Sequence, residues 1–278
     1  MKHISSKNIN SNTIDKHFNE FTSNTPFQHL VIDNLLIEES ANKILNNNFK
    51  LNKHWINYFF INNYKKSGLV DTKYMDKTCN ELLQELASKE FMNQLSKMTG
   101  INNILFDPGL DGGGLHQTFN GGSLNVHTDF LAHKFKKKWK RVINLIIFLN
   151  KNWQDEYNGQ LELWDEKVKN KIKAVSPIFN RCIIFKTDEK SFHGHPVKLK
   201  VPKDISRKSL SVYYYIEENK NLSLHPTLYK NRPDDSFYSK FLVKFDMFFS
   251  NIFGFLKRYH ILNDKFATKV LNLFNRDK

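Results

Sequence analysis

The feature that most constrains the fold of this chain is a run of about seven short, apolar, strand-like segments between Ser123 and Glu217. Turn-forming Asn, Asp, Gly or Pro residues stand in the connections. No crossover helix fits between these segments, so the pattern predicts an antiparallel sandwich or barrel. The predicted strands are Leu124–Phe130, Arg141–Asn150, Gln160–Asp165, Lys171–Ser176, Arg181–Thr187, Gly194–Val201 and Arg207–Ile216.

The remainder of the chain divides into flanking regions. Residues 1–24 are rich in Asn, Ser and Lys without periodicity, and we expect a loose N-terminal leader. One domain is predicted over residues 25–218, with a strand at Phe27–Leu36, helical support within residues 37–100 and its β core at about 121–218. Apolar residues recur at helical intervals in that support, over Ile37–Phe49 and Thr78–Met98.

Residues 219–278 are predicted to form a helical extension. Aromatic and aliphatic residues step at three and four residues between Phe237 and Tyr259, which forms a broad apolar stripe. We expect this helix to pack on the barrel or on a partner. The alternative is a helix that lies on a membrane surface, since Lys257 and Arg258 follow the stripe.

Charge and cysteine content limit the possible partners and the cellular compartment of the protein. The formal net charge is +14, and the run Lys134–Arg141 holds six basic residues in eight positions. This surface suits an anionic substrate, but no nucleic-acid-binding motif accompanies it, so nucleic-acid binding is not predicted. Two cysteines, no apolar leader and no long apolar stretch predict a cytoplasmic protein without a disulfide framework or a transmembrane segment. The oligomeric state stays open.

One triplet of residues contains two candidate metal ligands. His127-Thr128-Asp129 lies on a predicted strand, where residues two apart face the same side, so Asn125, His127 and Asp129 are expected to project together. A good third ligand is His193, at the start of a later strand. Two histidines and one carboxylate form the facial triad of non-haem Fe(II) oxygenases, which leaves positions for a bidentate co-substrate and O₂.

A second element is an alternating strand that begins at Arg207. Arg207, Ser209, Ser211 and Tyr213 fall on one face of it. A guanidinium inside a barrel needs an anion, and its forked donors suit the distal carboxylate of a dicarboxylic co-substrate.

The segment Gly121–Glu217 resembles the 2-oxoglutarate- and Fe(II)-dependent dioxygenases, in their prolyl-4-hydroxylase-like branch. The matching stretches, in family order, are GGSLNVHTDF, RVINLIIFLNKNW, NGQLELWD, SPIFNRCIIFKT, SFHGHP and RKSLSVYYY. The resemblance implies a mainly β, α+β fold, the double-stranded β-helix or jelly-roll barrel of cupins. It also implies that His127, Asp129 and His193 hold the iron.

The same resemblance implies a co-substrate site. It places the far carboxylate of 2-oxoglutarate on Arg207, aided by Ser209, with Gln117 as a further polar contact. Phe148 stands where several relatives carry a tyrosine that reaches 2-oxoglutarate, so this pocket must be completed differently. His195 could share a face with His193, but the family's His-Gly-x-Pro sequence motif implies that His193 is the ligand.

The activity implied is hydroxylation of an unactivated C–H bond, with Fe(II), 2-oxoglutarate and O₂, and with release of succinate and CO₂. The substrate expected is a peptide, an amino acid or another small molecule. The carboxylate of Asp129 favours hydroxylation, because family halogenases carry a small residue there. Two alternatives stay open: a non-catalytic β-helix binding module, and a basic protein that docks on membrane or nucleic acid through its C-terminal helix.

Overall fold

The computed structural model describes residues 1–60, 62–223, 227–238, 240, 241 and 243. The helices are α1 Ser11–Ser23, α2 Glu38–Asn48, α3 Lys77–Leu86 and α4 Lys89–Thr99. The strands are β1 His29–Ile32, β2 Ile56–Phe60, β3 Asn63–Leu69, β4 Leu105–Phe106, β5 Gly114–Thr128, β6 Trp139–Phe148, β7 Leu161–Trp164, β8 Lys171–Val175, β9 Arg181–Lys186, β10 His193–His195, β11 Arg207–Glu217 and β12 Leu228–Tyr229.

The strands form one curled antiparallel sheet in the order β1-β9-β6-β11-β5-β10-β7-β8. β5 joins its two halves, because its first part pairs with β11 and its second part pairs with β10. The hairpin β2–β3 adds to β5 along both parts. This is the predicted double-stranded β-helix, mainly β with flanking helices.

Alternation along β6 and β11, interrupted by one bulge at Val142, separates the two faces of the curled sheet. Leu145 and Ile147 of β6 and Val212 of β11 join the main apolar core, which the helices cover on the outside. Asn144 and the polar residues of β11 point to the inside, where they line a pocket. A strand with one apolar and one polar face therefore positions the site.

The expectation of a loose leader over residues 1–24 is wrong. Residues Ser11–Ser23 form α1, which Asn10 caps by accepting hydrogen bonds from the backbone of Asn12 and Thr13. Ile4, Ile9 and Phe21 are buried in the main core. The sparse apolar residues of this segment meet a sheet and helix surface that is distant in sequence, which local periodicity does not reveal.

Several elements differ from the prediction. Thr78–Met98 is two helices, because the Ser88 side chain accepts a hydrogen bond from the Phe91 amide and starts α4 afresh. The strand predicted over Gly194–Val201 is only β10, because Pro196 has no amide proton to extend the ladder. The hairpin β2–β3 was not predicted.

The C-terminal stripe between Phe237 and Tyr259 lies mostly outside the described residues. Phe237, Tyr238, Lys240, Phe241 and Val243 are helical. Phe237 is 88 % exposed, whereas Val243 is 4 % exposed and its carbonyl oxygen accepts a hydrogen bond from Asn62 Nδ2. None of the helices in the described ranges is both long and apolar enough to cross a membrane.

Candidate metal and co-substrate site

His127, Asp129 and His193 converge inside the curled sheet, with one potential ligand atom from each within 4.8 Å of the others. The His127 Nε2 to Asp129 Oδ1 distance is 3.6 Å, and His193 Nε2 lies 3.4 Å from Asp129 Oδ2. Both imidazoles are buried and belong to neighbouring strands, where His193 of β10 pairs directly with His127 of β5. The structure therefore brings the predicted triad together.

Hydrogen bonds fix which imidazole nitrogen faces the centre. His127 Nδ1 lies 2.8 Å from the carbonyl oxygen of Asn125, and His193 Nδ1 lies 2.8 Å from that of Ser191. A carbonyl only accepts, so each Nδ1 carries the proton and donates it. The lone pair of each Nε2 is then free for a metal, which is the usual arrangement of metal-bound histidine.

Asp129 is held by two donors on one oxygen. Asn144 Nδ2 donates to Oδ2 at 2.7 Å, and Arg141 Nη2 donates to the same oxygen at 3.1 Å. Arg141 Nε also donates to Asn144 Oδ1 at 2.6 Å, so the three side chains brace one another. Burial alone would raise the pKa of Asp129, but the Arg141 guanidinium holds that pKa well below its usual range. The carboxyl group is therefore ionised and oriented.

A bulge in β5 determines which of its residues face the pocket. His193 pairs with His127, yet His195, only two residues later, pairs with Leu124, three residues earlier. Leu124 and His127 consequently both line the pocket. Asn125, expected to share the face of His127, instead donates to Asn62 Oδ1 at 2.8 Å, so that part of the prediction is wrong.

Gly194 lets the two histidine-bearing strands approach. A Cβ atom at this position would lie 2.8 Å from the Leu124 carbonyl oxygen and 2.9 Å from that of Asn125. Both atoms belong to the backbone of β5, which cannot swing aside as a side chain can. Glycine is therefore needed between His193 and His195.

The second end of the pocket is built on β11. Arg207, Ser209, Ser211 and Tyr213 all line it, as the alternation predicts. Arg207 donates from Nε to the Gly159 carbonyl at 2.6 Å, and its guanidinium carbon lies 4.9 Å from the centre of the Phe148 ring. Burial lowers the pKa of Arg207 to about 9, so the guanidinium is charged at neutral pH.

Gln117 does not take part in the pocket, and its prediction as a co-substrate contact is wrong. It lies on the opposite face of β5, where its Nε2 donates to the Phe49 carbonyl and its Oε1 accepts from the Ser206 hydroxyl. His116 and Thr118, on either side of it, face the pocket instead. His195 also lines the pocket but lies outside the metal-ligating group.

The polar pocket residues that sequence reasoning missed include Lys66, Arg141, Asn144 and Tyr229. Arg141 and Asn144 lie in a predicted strand, and Asn144 is the polar residue that interrupts an apolar run, a signal that could have found it. Lys66 lies in the unpredicted hairpin. Tyr229 lies in β12, beside the end of β5, with its ring 5.4 Å from that of His127.

A double-stranded β-helix that presents two histidines, one carboxylate and an opposed buried arginine defines a class of protein, the oxygenases that use Fe(II) and 2-oxoglutarate. The sequence model of the 2OG-Fe(II) oxygenase superfamily matches residues 113–215. Residues 113–215 are therefore similar to a 2-oxoglutarate-dependent dioxygenase domain, and the enzyme class that this match and the site indicate uses Fe(II), 2-oxoglutarate and O₂. The two freed imidazole nitrogens and the braced carboxylate fit that metal.

Solved structures share the fold. A prolyl hydroxylase from Trichoplax adhaerens, in complex with a hypoxia-inducible-factor oxygen-degradation-domain peptide, is 17% identical with a TM-score of 0.53, over 76% of this chain and 96% of that one. A Pseudomonas putida prolyl-4-hydroxylase is 13% identical with a TM-score of 0.51, over 74% and 100%. HygX from Streptomyces hygroscopicus, with nickel and 2-oxoglutarate bound, is 9% identical with a TM-score of 0.50, over 74% and 87%. Among curated proteins, no relative matches at a significant level.

Proposed function

We propose that this protein hydroxylates an unactivated C–H bond of a peptide, an amino acid or another small substrate, and releases succinate and CO₂. In this proposal His127, Asp129 and His193 hold the Fe(II), and Arg207 binds the distal carboxylate of 2-oxoglutarate. One observation carries it: the donor atoms of the triad converge, and backbone carbonyls fix both histidines with Nε2 free.

The residues of the chain have separate tasks in this reaction. Bound iron supplies the activation of O₂ that is coupled to oxidation of 2-oxoglutarate. The histidines and Asp129 fix its position, while Arg207 orients the co-substrate from the other end of the pocket. Asp129 would be the carboxylate ligand of the metal, where family halogenases carry a small residue, and its presence supports hydroxylation. The buried setting excludes water from the reacting groups.

The substrate class is argued from the fold and from the walls of the pocket. The Trichoplax structure contains a peptide fragment, and this chain shares its fold. Thr227, Tyr229 and Phe130 line the same pocket and form walls against which a substrate could pack. A peptide or amino acid therefore ranks first, by analogy of fold. A non-catalytic binding module is disfavoured, because such a protein would have no need for a complete triad with braced ligands.

The test is anaerobic addition of Fe(II) and then 2-oxoglutarate to the purified protein, followed by its visible charge-transfer absorption. We expect the band in the wild type and its loss in His193→Ala. His54→Ala is the matched control, because His54 does not line the pocket but stacks on Tyr74 elsewhere. Succinate release on admission of O₂ gives the second readout. A folded wild type without the band would overturn the proposal.

A further inference from the structure

Two of the cations that line the pocket, Lys66 and Arg207, form no ion pair among the described residues. The charged residues that line it are Lys66, Asp129, Arg141 and Arg207, and Asp129 is paired with Arg141. Arg207 is assigned above to a carboxylate of the co-substrate. Within the described ranges Lys66 forms no ion pair, and its Nζ lies 6.0 Å from the centre of the Tyr58 ring. A partly buried ammonium group without an anion is costly, so its position calls for a ligand.

Strand register places Lys66 beside Arg207. Lys66 on β3 pairs with Thr118 on β5, and Thr118 pairs with Arg207 on β11. Registered residues on adjacent strands point to the same face, and all three line the pocket. Strands lie about 4.8 Å apart, so the two cations start about 10 Å apart across Thr118. Both side chains are long enough to reach one group between them.

The residues around Lys66, Thr118 and Arg207 favour a carboxylate ligand between the two cations. Phe148 lies under the Arg207 guanidinium and offers a ring face, with no hydroxyl to donate. Ser209 pairs with Phe148 and faces the same pocket. The buried Nδ1 of His195 has no hydrogen-bond partner among the described residues. This end of the pocket is therefore rich in donors and cations, while its one lining carboxylate, Asp129, is engaged at the metal end.

We propose that Lys66 is the second cation of the site for the distal carboxylate of 2-oxoglutarate, sharing that group with Arg207 in place of the hydroxyl that Phe148 lacks. This inference rests on the proposed function, which places the co-substrate on Arg207. Each carboxylate oxygen would then accept a charge-assisted hydrogen bond from a different side chain. Lys66 is a positioning residue for the co-substrate and does not belong to the metal-ligating group.

The ionisation of Lys66 supplies a distinctive readout. Burial, and next the charge of Arg207, lower the pKa of Lys66 to about 8. Lys66 is therefore protonated and able to bind an anion below pH 8, and it loses its charge as the pH rises through 8. The titratable and charged groups that face it are Tyr58, His116, Asp129, Arg141, His195 and Arg207.

The test measures the Kd of 2-oxoglutarate for the Fe(II)-loaded protein, anaerobically, by calorimetry at pH 7. We expect Lys66→Met to weaken binding about 10- to 100-fold, the range for a lost charge-assisted hydrogen bond. Lys65→Met is the matched control, because Lys65 is the exposed neighbour that does not line the pocket, and it should bind as the wild type does.

A second ligand separates a carboxylate contact from general damage. 2-Oxopentanoate has the same chain length and keto acid but no distal carboxylate, so Lys66→Met should leave its Kd unchanged. Lys66→Arg should restore 2-oxoglutarate binding at pH 7. Both proteins contain Arg207, whose pKa is about 9, so between pH 7 and 9 the wild type should lose about tenfold more affinity than Lys66→Arg does.

The outcomes are distinct. If Lys66→Met binds 2-oxoglutarate within twofold of the wild type, or loses both ligands equally, the assignment of Lys66 is overturned. If the wild type binds neither Fe(II) nor 2-oxoglutarate, the proposed function fails as well. Binding by the wild type therefore distinguishes failure of the Lys66 assignment from failure of the proposed function.

Discussion

At the scale of single residues, the metal site depends on side chains that do not themselves bind metal. Asn144 donates to Asp129 Oδ2 and accepts from Arg141, so it holds the carboxylate and its arginine partner at once. Both donors use the same carboxylate oxygen, which leaves Oδ1 available to a metal. Such supporting contacts orient a ligand before the metal arrives.

Asn144→Leu keeps the shape of this side chain and removes its hydrogen bonds. We expect its affinity for Fe(II) to fall about 10- to 100-fold, as is common when a supporting partner of a metal ligand is lost. Anaerobic Fe(II) titration measures this loss. Ser211→Ala, in the same pocket but without a bond to Asp129, should titrate as the wild type does. Equal Fe(II) affinity of Asn144→Leu and the wild type would show that Arg141 alone suffices to orient Asp129.

Much of the site could be predicted from residues two apart on one strand. His127, Asp129, Arg207 and Ser209 follow from that parity together with family order, and the structure places all four along one pocket. Gln117 was predicted from the family resemblance and not from parity; His116 and Thr118 face the pocket, so Gln117 between them faces the opposite side. No local rule reveals a bulge, so Asn125 was assigned to the wrong face.

Lys66 escaped prediction for a different reason. Its strand reads NYKKSGL, which has no apolar alternation, and Leu69 at the end of the strand is its contribution to the main core. Its place beside Arg207 depends on the register of three strands. Lys66 pairs with Thr118, more than 50 positions later, and Thr118 pairs with Arg207, more than 80 positions later still. Such pairing becomes visible only in the folded sheet.

At the scale of elements, α1 is the largest departure from expectation. It packs against α4 and β1, and its apolar residues are widely spaced in a polar sequence. Its capping box at Asn10 and Thr13 was present in the sequence as an Asn followed three residues later by Thr. The helix therefore contributes to the core that supports the outer face of the sheet.

Two phenylalanines of α1 test this contribution. Phe21 is fully buried, whereas Phe18 is 39 % exposed. Phe21→Ala should lower the free energy of unfolding by about 3–5 kcal/mol, the cost of removing a buried aromatic ring and leaving a cavity. Phe18→Ala is the matched control and should cost much less. Urea denaturation measures both, and equal small losses would mean that residues 1–24 do not support the fold.

At the scale of the whole molecule, the pocket lies within a protein of formal net charge +14. Its four charged lining residues add a local excess of positive charge, since three are cations and one is an anion. An anionic ligand is therefore attracted first by the field of the protein and then by contacts within the pocket. The first contribution is screened by salt, whereas close buried contacts are screened much less.

The charge of the ligand separates the two contributions. The long-range term is proportional to ligand charge, so it acts about twice as strongly on 2-oxoglutarate, a dianion, as on 2-oxopentanoate, a monoanion. Raising the ionic strength from 0.1 to 1 M shortens the screening length from about 10 to 3 Å. Over that range we expect log Kd to rise about twice as much for the dianion, measured by calorimetry on the Fe(II)-loaded protein. Equal slopes would show that the contacts at Arg207 and Lys66, and not the surrounding charge, account for the preference for a dicarboxylate.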